Sequence, residues 1–251
     1  MKAKIVCINL FEGGLFWENI EKFLLKEDPA ILCLQEVVNG DSKQPLSFQS
    51  IARLRNLFPE YYYYFSPELL EVWPQGNGDA GNAIFSRFPI IEQKTVFLHK
   101  KYKRIVRAKD GKDFSHYPKN LQHIVVEIDR RKLHVLNLHG IWGLSGADTP
   151  ERLKMSKIIL EELKGNSPAV LMGDFNLKPN TQTIQNIEKE MTNIFKDELK
   201  TTFNMKHKTN PGYATAVVDM FFASPTVKVV SKACSDDDVS DHKPLVVTVQ
   251  V

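Results

Sequence analysis

Residues 5–36 read Ile-Val-Cys-Ile-Asn-Leu-Phe-Glu-Gly-Gly-Leu-Phe-Trp-Glu-Asn-Ile-Glu-Lys-Phe-Leu-Leu-Lys-Glu-Asp-Pro-Ala-Ile-Leu-Cys-Leu-Gln-Glu. Ile5 to Leu10 is an apolar run broken only by Asn9, as in a strand buried on both faces, and Glu12-Gly13-Gly14 ends it. Trp17, Ile20, Phe23 and Leu24 then recur at helical spacing to about Lys26, where Asp28-Pro29 stops the helix. Ala30 to Leu34 is a second apolar strand, with Gln35-Glu36 at its C-terminal end. Strand, helix and strand on short links predict a parallel or mixed sheet covered on one side by helix.

Working outward, Phe48 to Phe58 repeats the helical pattern and Tyr61 to Phe65 reads as a strand. The prolines and glycines between Trp73 and Gly81 read as loop. Asn82 to Ser86 and Thr95 to Leu98 are short strands, and residues 100–120 are the least patterned part of the chain. Ile124 to Ile128 and His134 to Leu138 form a hairpin around Asp129-Arg130-Arg131-Lys132. Asp148-Thr149-Pro150-Glu151 starts a helix that reaches Leu163. Ala169 to Met172 is a buried strand ending in Gly173-Asp174-Phe175-Asn176, a short helix follows near 183–190, and strands at 217–222, 227–230 and 245–251 close the chain. Strands outnumber helices and several are adjacent in sequence. Two packed mixed β-sheets with helices outside, in one α/β domain over 1–251, fit this better than a doubly wound parallel sheet.

The 251 residues include 33 Lys and Arg against 30 Asp and Glu, a formal charge of +3, so no global basic footprint marks a nucleic-acid binder. Lys100, Lys101, Lys103, Arg104, Arg107, Lys109 and Lys112 make one local basic cluster. Cys7, Cys33 and Cys234 are odd in number and lack framework spacing, so they read as structural thiols. No stretch reaches the ~18 apolar residues of a membrane span, and the strand at Ile5 leaves no room for a signal peptide. A cytoplasmic monomer is the expectation.

The chemistry lies where polar residues fall in or just after apolar strands: Asn9, Glu36, His139, Asp174, Asn176 and Asp219. Such groups are costly to bury unless they share a polar pocket. Carboxylates and amides without thiolates suit a hard, oxygen-preferring cation. Glu36 is the first candidate ligand and Asp241, in Ser240-Asp241-His242, the second. Asp219 is the natural carboxylate partner for His242, and such a pair can donate to charge developing on a phosphate. Asp174 can orient or deprotonate an attacking water, and Asn176 can hold an oxygen through its amide. Each signal alone has a plainer reading as a turn or a satisfied core group. Their joint order along the chain is the specific feature.

That order resembles the endonuclease/exonuclease/phosphatase superfamily. Its landmarks are Asn9, Leu34-Gln35-Glu36, Gly81-Asn82-Ala83-Ile84-Phe85-Ser86-Arg87 and Leu136-Asn137-Leu138-His139. They continue in Gly173-Asp174-Phe175-Asn176, Val218-Asp219-Met220-Phe221-Phe222 and Ser240-Asp241-His242-Lys243-Pro244-Leu245. The resemblance implies a four-layered α/β sandwich and a divalent-metal-dependent phosphoesterase using Mg2+ or Mn2+. It implies that Glu36 binds the metal with Asn9 and Asp241 nearby, and that Asp174 and Asn176 position the water. His242 pairs with Asp219, His139 joins the catalytic set, and Asn82 contacts the substrate phosphate. A histidine at 139, where abasic-site endonucleases carry a tyrosine motif, makes repair of abasic sites the less expected activity. Met220-Phe221 replaces the usual Tyr-Ile, and Gly140 to Asp148 matches no substrate class.

The alternatives are a non-catalytic phosphate- or nucleic-acid-binding module on the same fold, and a nucleic-acid binder using the basic cluster and the tyrosine strand. The module should show substitutions at Glu36, Asp174, Asn176 or His242, and none is present. The substrate stays open among nucleic acid, a lipid phosphodiester and a small phosphoester. Its selectors are expected in residues 38–47, 66–81, 99–120, 140–149 and 203–213.

Overall fold

A computed structural model describes residues 1–107 and 113–251, so Lys109 and Lys112 of the basic cluster lie outside the described residues. In chain order the elements are β1 (Lys2–Asn9), α1 (Trp17–Glu27), β2 (Ile31–Asn39), α2 (Ser50–Leu57), β3 (Tyr62–Trp73), β4 (Gly76–Ser86) and β5 (Ile90–His99). Then come β6 (Lys103–Val106), β7 (Lys119–Ile128), β8 (Arg131–His139), α3 (Pro150–Leu163), β9 (Ala169–Asp174) and α4 (Gln182–Glu188). β10 (Thr192–Asn193), β11 (Asp219–Ala223), β12 (Lys228–Cys234) and β13 (Leu245–Gln250) complete the fold. A seven-stranded sheet runs β12-β13-β1-β2-β4-β3-β6 and a six-stranded sheet runs β10-β11-β9-β8-β7-β5.

Side-chain alternation along each strand sorts the layers. Ile5, Cys7, Ile31 and Cys33 meet Ile124, Val135, Val170 and Met172 of the other sheet in the central core. Their neighbours Val6, Ile8, Leu32 and Leu34 point the opposite way, onto Trp17, Ile20, Phe23 and Leu24 of α1 and Ile51 and Leu54 of α2. Leu136, Leu138 and Leu171 pack outward on Met155 and Ile159 of α3 and Ile184 and Ile187 of α4. Helix, sheet, sheet and helix therefore form four layers, and burial on both faces explains the unbroken apolar runs. The described residues contain no helix long and apolar enough to cross a membrane.

Three sequence expectations change. The strand read at Tyr61 to Phe65 continues to Trp73, and the stretch read as loop from Trp73 to Gly81 is mostly β4, paired from Tyr62↔Ser86 to Trp73↔Gly76. The glycines there serve close approach: a Cβ on Gly81 would sit 2.2 Å from the Ser66 carbonyl oxygen. Secondly, residues 99–120 carry β6, parallel to β3 from Leu69↔Lys103 to Val72↔Val106, and Ile105 is buried with Leu69 and Tyr117. A four-residue strand with one buried apolar position leaves no readable period. Thirdly, the helix at 48–58 is a 3-10 turn over Leu46–Phe48 followed by α2. Cys7 and Cys33 are buried free thiols, as expected, and Cys234, half-buried on β12, packs against the same central core.

Candidate active site

Strand register assembles the site. β8 pairs in parallel with β9 so that His139 stands beside Asp174, and β9 pairs with β11 so that Asp174 stands beside Asp219. Three titratable groups thus form a row across the end of the six-stranded sheet. A close approach makes this possible, because a Cβ on Gly173, whose φ is 145°, would lie 1.9 Å from the Leu138 carbonyl oxygen. In the facing sheet Asn9 pairs with Gln35, one residue before Glu36. β13 runs antiparallel to β1, so Ser240-Asp241-His242 arrives at the same edge. Ser240 Oγ fastens it there by donating to the Asn9 carbonyl at 2.6 Å.

Asp174 is the hub. Its Oδ1 accepts from the Asn176 backbone N–H at 2.8 Å, and its Oδ2 accepts from Asn176 Nδ2 at 3.3 Å and Asn9 Nδ2 at 3.4 Å. His139 Nε2 lies 3.6 Å and His242 Nε2 3.9 Å from the same Oδ2. His242 Nδ1 donates to Asp219 Oδ2 at 2.9 Å, which leaves Nε2 facing the cavity. Asn9 Nδ2 also donates to Glu36 Oε1 at 3.0 Å, so it bridges the two carboxylates. Glu36 and Asn176 have positive φ, 55° and 54°. Non-glycine residues held there store backbone strain of the kind that collects at functional sites.

Burial, with Asp219 and Glu36 adding repulsion, pushes Asp174 up to about 7 against the attraction of His242. Burial lowers His242, but Asp219, Asp241 and Asp174 together outweigh it and raise the imidazole to about 10. His139 is driven the other way, well below its ordinary value, by burial and by Lys119 and His242. Lys119 Nζ lies 3.0 Å from His139 Nδ1 and 3.1 Å from Glu68 Oε2. Lys119 carries only donors, so His139 Nδ1 accepts and Nε2 holds the ring proton, aimed at Asp174. The two histidines thus hold different charge states on either side of one carboxylate.

Asn9, Glu36, His139, Asp174, Asn176, Asp219, Asp241 and His242 therefore converge. Asn82 is fully buried behind them, donating from Nδ2 to Glu68 Oε1 at 3.2 Å and Asn120 Oδ1 at 2.9 Å. Sequence reasoning gave no role to Glu68, Arg107, Lys119 or Lys208, although all four lie in the expected selector stretches, and it missed Arg152. Glu68 is a buried carboxylate inside a strand, the pattern that found the others, and it escaped because the strand was ended at Phe65. Arg107 is no surface charge: it pairs with Glu12 at 2.8 Å and stacks 3.8 Å from the Trp73 ring centroid.

Glu36, His139, Asp174, Asn176, Asp241 and His242 line a cavity of about 710 Å³, together with Trp73, Phe114, Tyr117, Trp142, Lys208 and Tyr213. Among the described residues, Asp174, Asp219 and His242 offer ligand atoms within 4.8 Å of one another. His242 Nδ1 already donates to Asp219 Oδ2 at 2.9 Å, which occupies that carboxylate oxygen. Glu36 fits a hard divalent cation better. It lines the cavity, and each of its carboxylate oxygens accepts a single hydrogen bond, from Asn9 and from the Glu12 backbone N–H. Oxygen donors remain on that side, and the thiols of Cys7 and Cys33 are buried elsewhere, in the central core.

The fold and the row of strand-end acids and histidines define a class, the α/β sandwiches with one polar pocket across the ends of two packed sheets. The chain belongs to the endonuclease/exonuclease/phosphatase family, whose model matches residues 17–242. Among solved structures it is similar to an endonuclease/exonuclease/phosphatase from Beutenbergia cavernae, with TM-score 0.77 and 18% identity over 100% of this chain and 72% of that one. The mannosyl-6-phosphatase Bt3783 of Bacteroides thetaiotaomicron gives TM-score 0.75 and 18% identity over 99% of this chain and 100% of that one. The human nocturnin catalytic domain, solved with a bound sulfate anion, gives TM-score 0.70 and 20% identity over 99% of this chain and 93% of that one. A search of curated protein sequences found no match. Members of this family are hydrolases of phosphoesters, and the structural neighbours establish the shared fold.

Proposed function

We propose that this protein hydrolyses a phosphoester, a phosphodiester or a phosphomonoester, with an activated water and a divalent cation, Mg2+ or Mn2+. The observation that carries the reading is Asp174, a buried carboxylate pushed up to about 7, held by the amides of Asn176 and Asn9 between a neutral and a charged histidine. Glu36 would hold the cation, with Asn9 fixing its carboxylate and Asp241 nearby. When bound, the cation neutralises phosphate charge and polarises the bond to phosphorus.

The chain's own residues supply the rest. Asp174 takes a proton from water as the water oxygen bonds to phosphorus, and its position near neutrality suits a general base. Asn176 Nδ2 and the neutral His139 Nε2–H orient that carboxylate and that water. His242, charged through its pair with Asp219, donates from Nε2 to a phosphoryl oxygen as charge grows there. The bond from phosphorus to the leaving oxygen breaks, and that oxygen gains the one proton the water lost. The nearby aromatic side chains Trp73, Phe114, Tyr117 and Trp142 give the organic group an apolar surface.

The test is a substrate panel with purified protein in Mg2+, Mn2+ or chelator: single- and double-stranded DNA, RNA, sphingomyelin, inositol phosphates and sugar phosphates. Turnover that appears with metal and stops with chelator supports the reading. Binding of any of these without turnover would instead favour the binding-module alternative.

A further inference from the structure

Lys208 lies in the 203–213 stretch where substrate selectors are expected, and it is not a drifting surface lysine. Its Nζ lies 2.6 Å from Asp241 Oδ2. Around the ammonium stand the rings of Phe11, Tyr213 and Phe203, with centroids 5.5, 5.8 and 5.9 Å away. Such a cage stabilises a cation and holds its position. The segment that carries Lys208 is bolted to the segment that carries Asp241. Asn204 N donates to the Asp241 carbonyl at 2.8 Å, and Asn204 Nδ2 donates to the Ser240 carbonyl at 2.9 Å. Lys208 N then donates to the Asn204 carbonyl at 3.0 Å, and His207 Nε2 meets Asp238 Oδ1 at 2.7 Å. Phe203 forms a β-bridge with His242 and packs on its ring at 4.7 Å. The ammonium is therefore placed by the fold, in a cavity that Lys119 also lines.

Ser240 Oγ spends its one proton on the Asn9 carbonyl at 2.6 Å and lies 3.3 Å from Asp241 Oδ1, so the Asp241 oxygen with a close cationic partner is Oδ2, the one Lys208 holds. A divalent ion on that oxygen would sit at roughly 2.0–2.1 Å from it. It would face the ammonium at close range, in a pocket where repulsion is poorly screened. We propose that Lys208 is a resident cation of the reaction centre, which holds Asp241 in the place of a second divalent ion. The site then takes one metal ion, on Glu36. Lys208 acts through Asp241, as a positioning residue that supplies fixed positive charge whatever the metal concentration. The inference rests on the metal reading given above.

Calorimetric titration of the chelator-stripped full chain with Mn2+ tests it. Wild type and Lys208→Arg are expected to bind one ion per chain, and Lys208→Met to take up a second. Asp241→Asn should bind one ion with a dissociation constant within about threefold of wild type, which keeps the test alive if Lys208→Met fails to fold. Two ions on wild type, one on Lys208→Met at unchanged affinity, or more than tenfold weaker binding by Asp241→Asn overturns the role of Lys208 alone. No Mn2+ binding by wild type overturns both the metal reading and this one.

Discussion

Asp174 illustrates how one residue trades stability for chemistry. Its folded value of about 7 lies above the ~3.9 of the unfolded chain, so the folded state binds a proton more tightly. The penalty for burying the charged form is complete above pH 7 and vanishes below the unfolded value. Asp174→Asn should therefore melt higher than wild type at pH 8 while losing about a thousandfold or more in turnover. A lower melting temperature would contradict this. His139 has the opposite sign of linkage. Its folded value is depressed, so its contribution is present above ~6.5 and is lost as pH falls, when the unfolded chain takes up the proton first. In metal-free protein, His139→Gln should flatten the loss of stability between pH 7 and pH 5, and an unchanged slope would mean that His139 is not held neutral. Asn9, Glu36, His139, Asp174, Asn176 and Asp219 stood out as polar residues in or just after apolar strands, and His242 through Ser240-Asp241-His242 and its candidate partner Asp219. Glu68 and Lys119 did not, because one lies beyond where the tyrosine strand was ended and the other among many lysines.

Asp148 and Thr149 divide the work of two helices in a way the local sequence does not reveal. Thr149 caps α3, accepting from Arg152 N at 3.3 Å. Asp148 caps α4 instead, accepting from Gln182 N at 2.7 Å and Thr183 N at 3.0 Å. Asp148→Ala should cost about 1 kcal/mol, a drop of about 2–4 °C in melting temperature for a chain of this size. Arg152 of α3, only 1% exposed, donates to the carbonyls of Ile141, Ala147 and Asn176 and so shapes residues 140–149. Arg152→Leu leaves three carbonyls without their donor and should cost about 3 kcal/mol or more. Activity should fall further than folding, because Asn176 moves with the loop, and thermal denaturation run beside turnover separates the two. β1, α1, β2, α3 and β9 were readable because long periodic runs report their own burial. The β3–β4 hairpin was hidden by glycines needed for close backbone approach, and β6 by its brevity.

The whole molecule carries a formal charge of only +3, and the one strong basic cluster is partly spent on internal pairs, as Arg107 shows with Glu12 and Glu71. Binding of double-stranded DNA should therefore weaken less than tenfold between 50 and 200 mM salt, where 6–10 phosphate contacts would lose about 10³–10⁵. A steeper loss would point to the basic cluster as an extended nucleic-acid surface. Unbroken apolar strands, more numerous than helices and often adjacent in sequence, made two packed sheets readable, and the family resemblance supplied the four layers. The order of strands within each sheet was not readable, because pairing between distant segments leaves no local trace. The central claim is that Asp174, backed by the paired His242, drives metal-dependent attack of water on a phosphoester. The most direct measurement is release of nitrophenolate from a chromogenic phosphodiester by wild type, Asp174→Asn and His242→Gln, each with Mg2+ and with chelator. Wild type should turn over with Mg2+ and not with chelator, and both variants should lose about a thousandfold. Equal turnover in chelator, or an Asp174→Asn enzyme as fast as wild type, would contradict it.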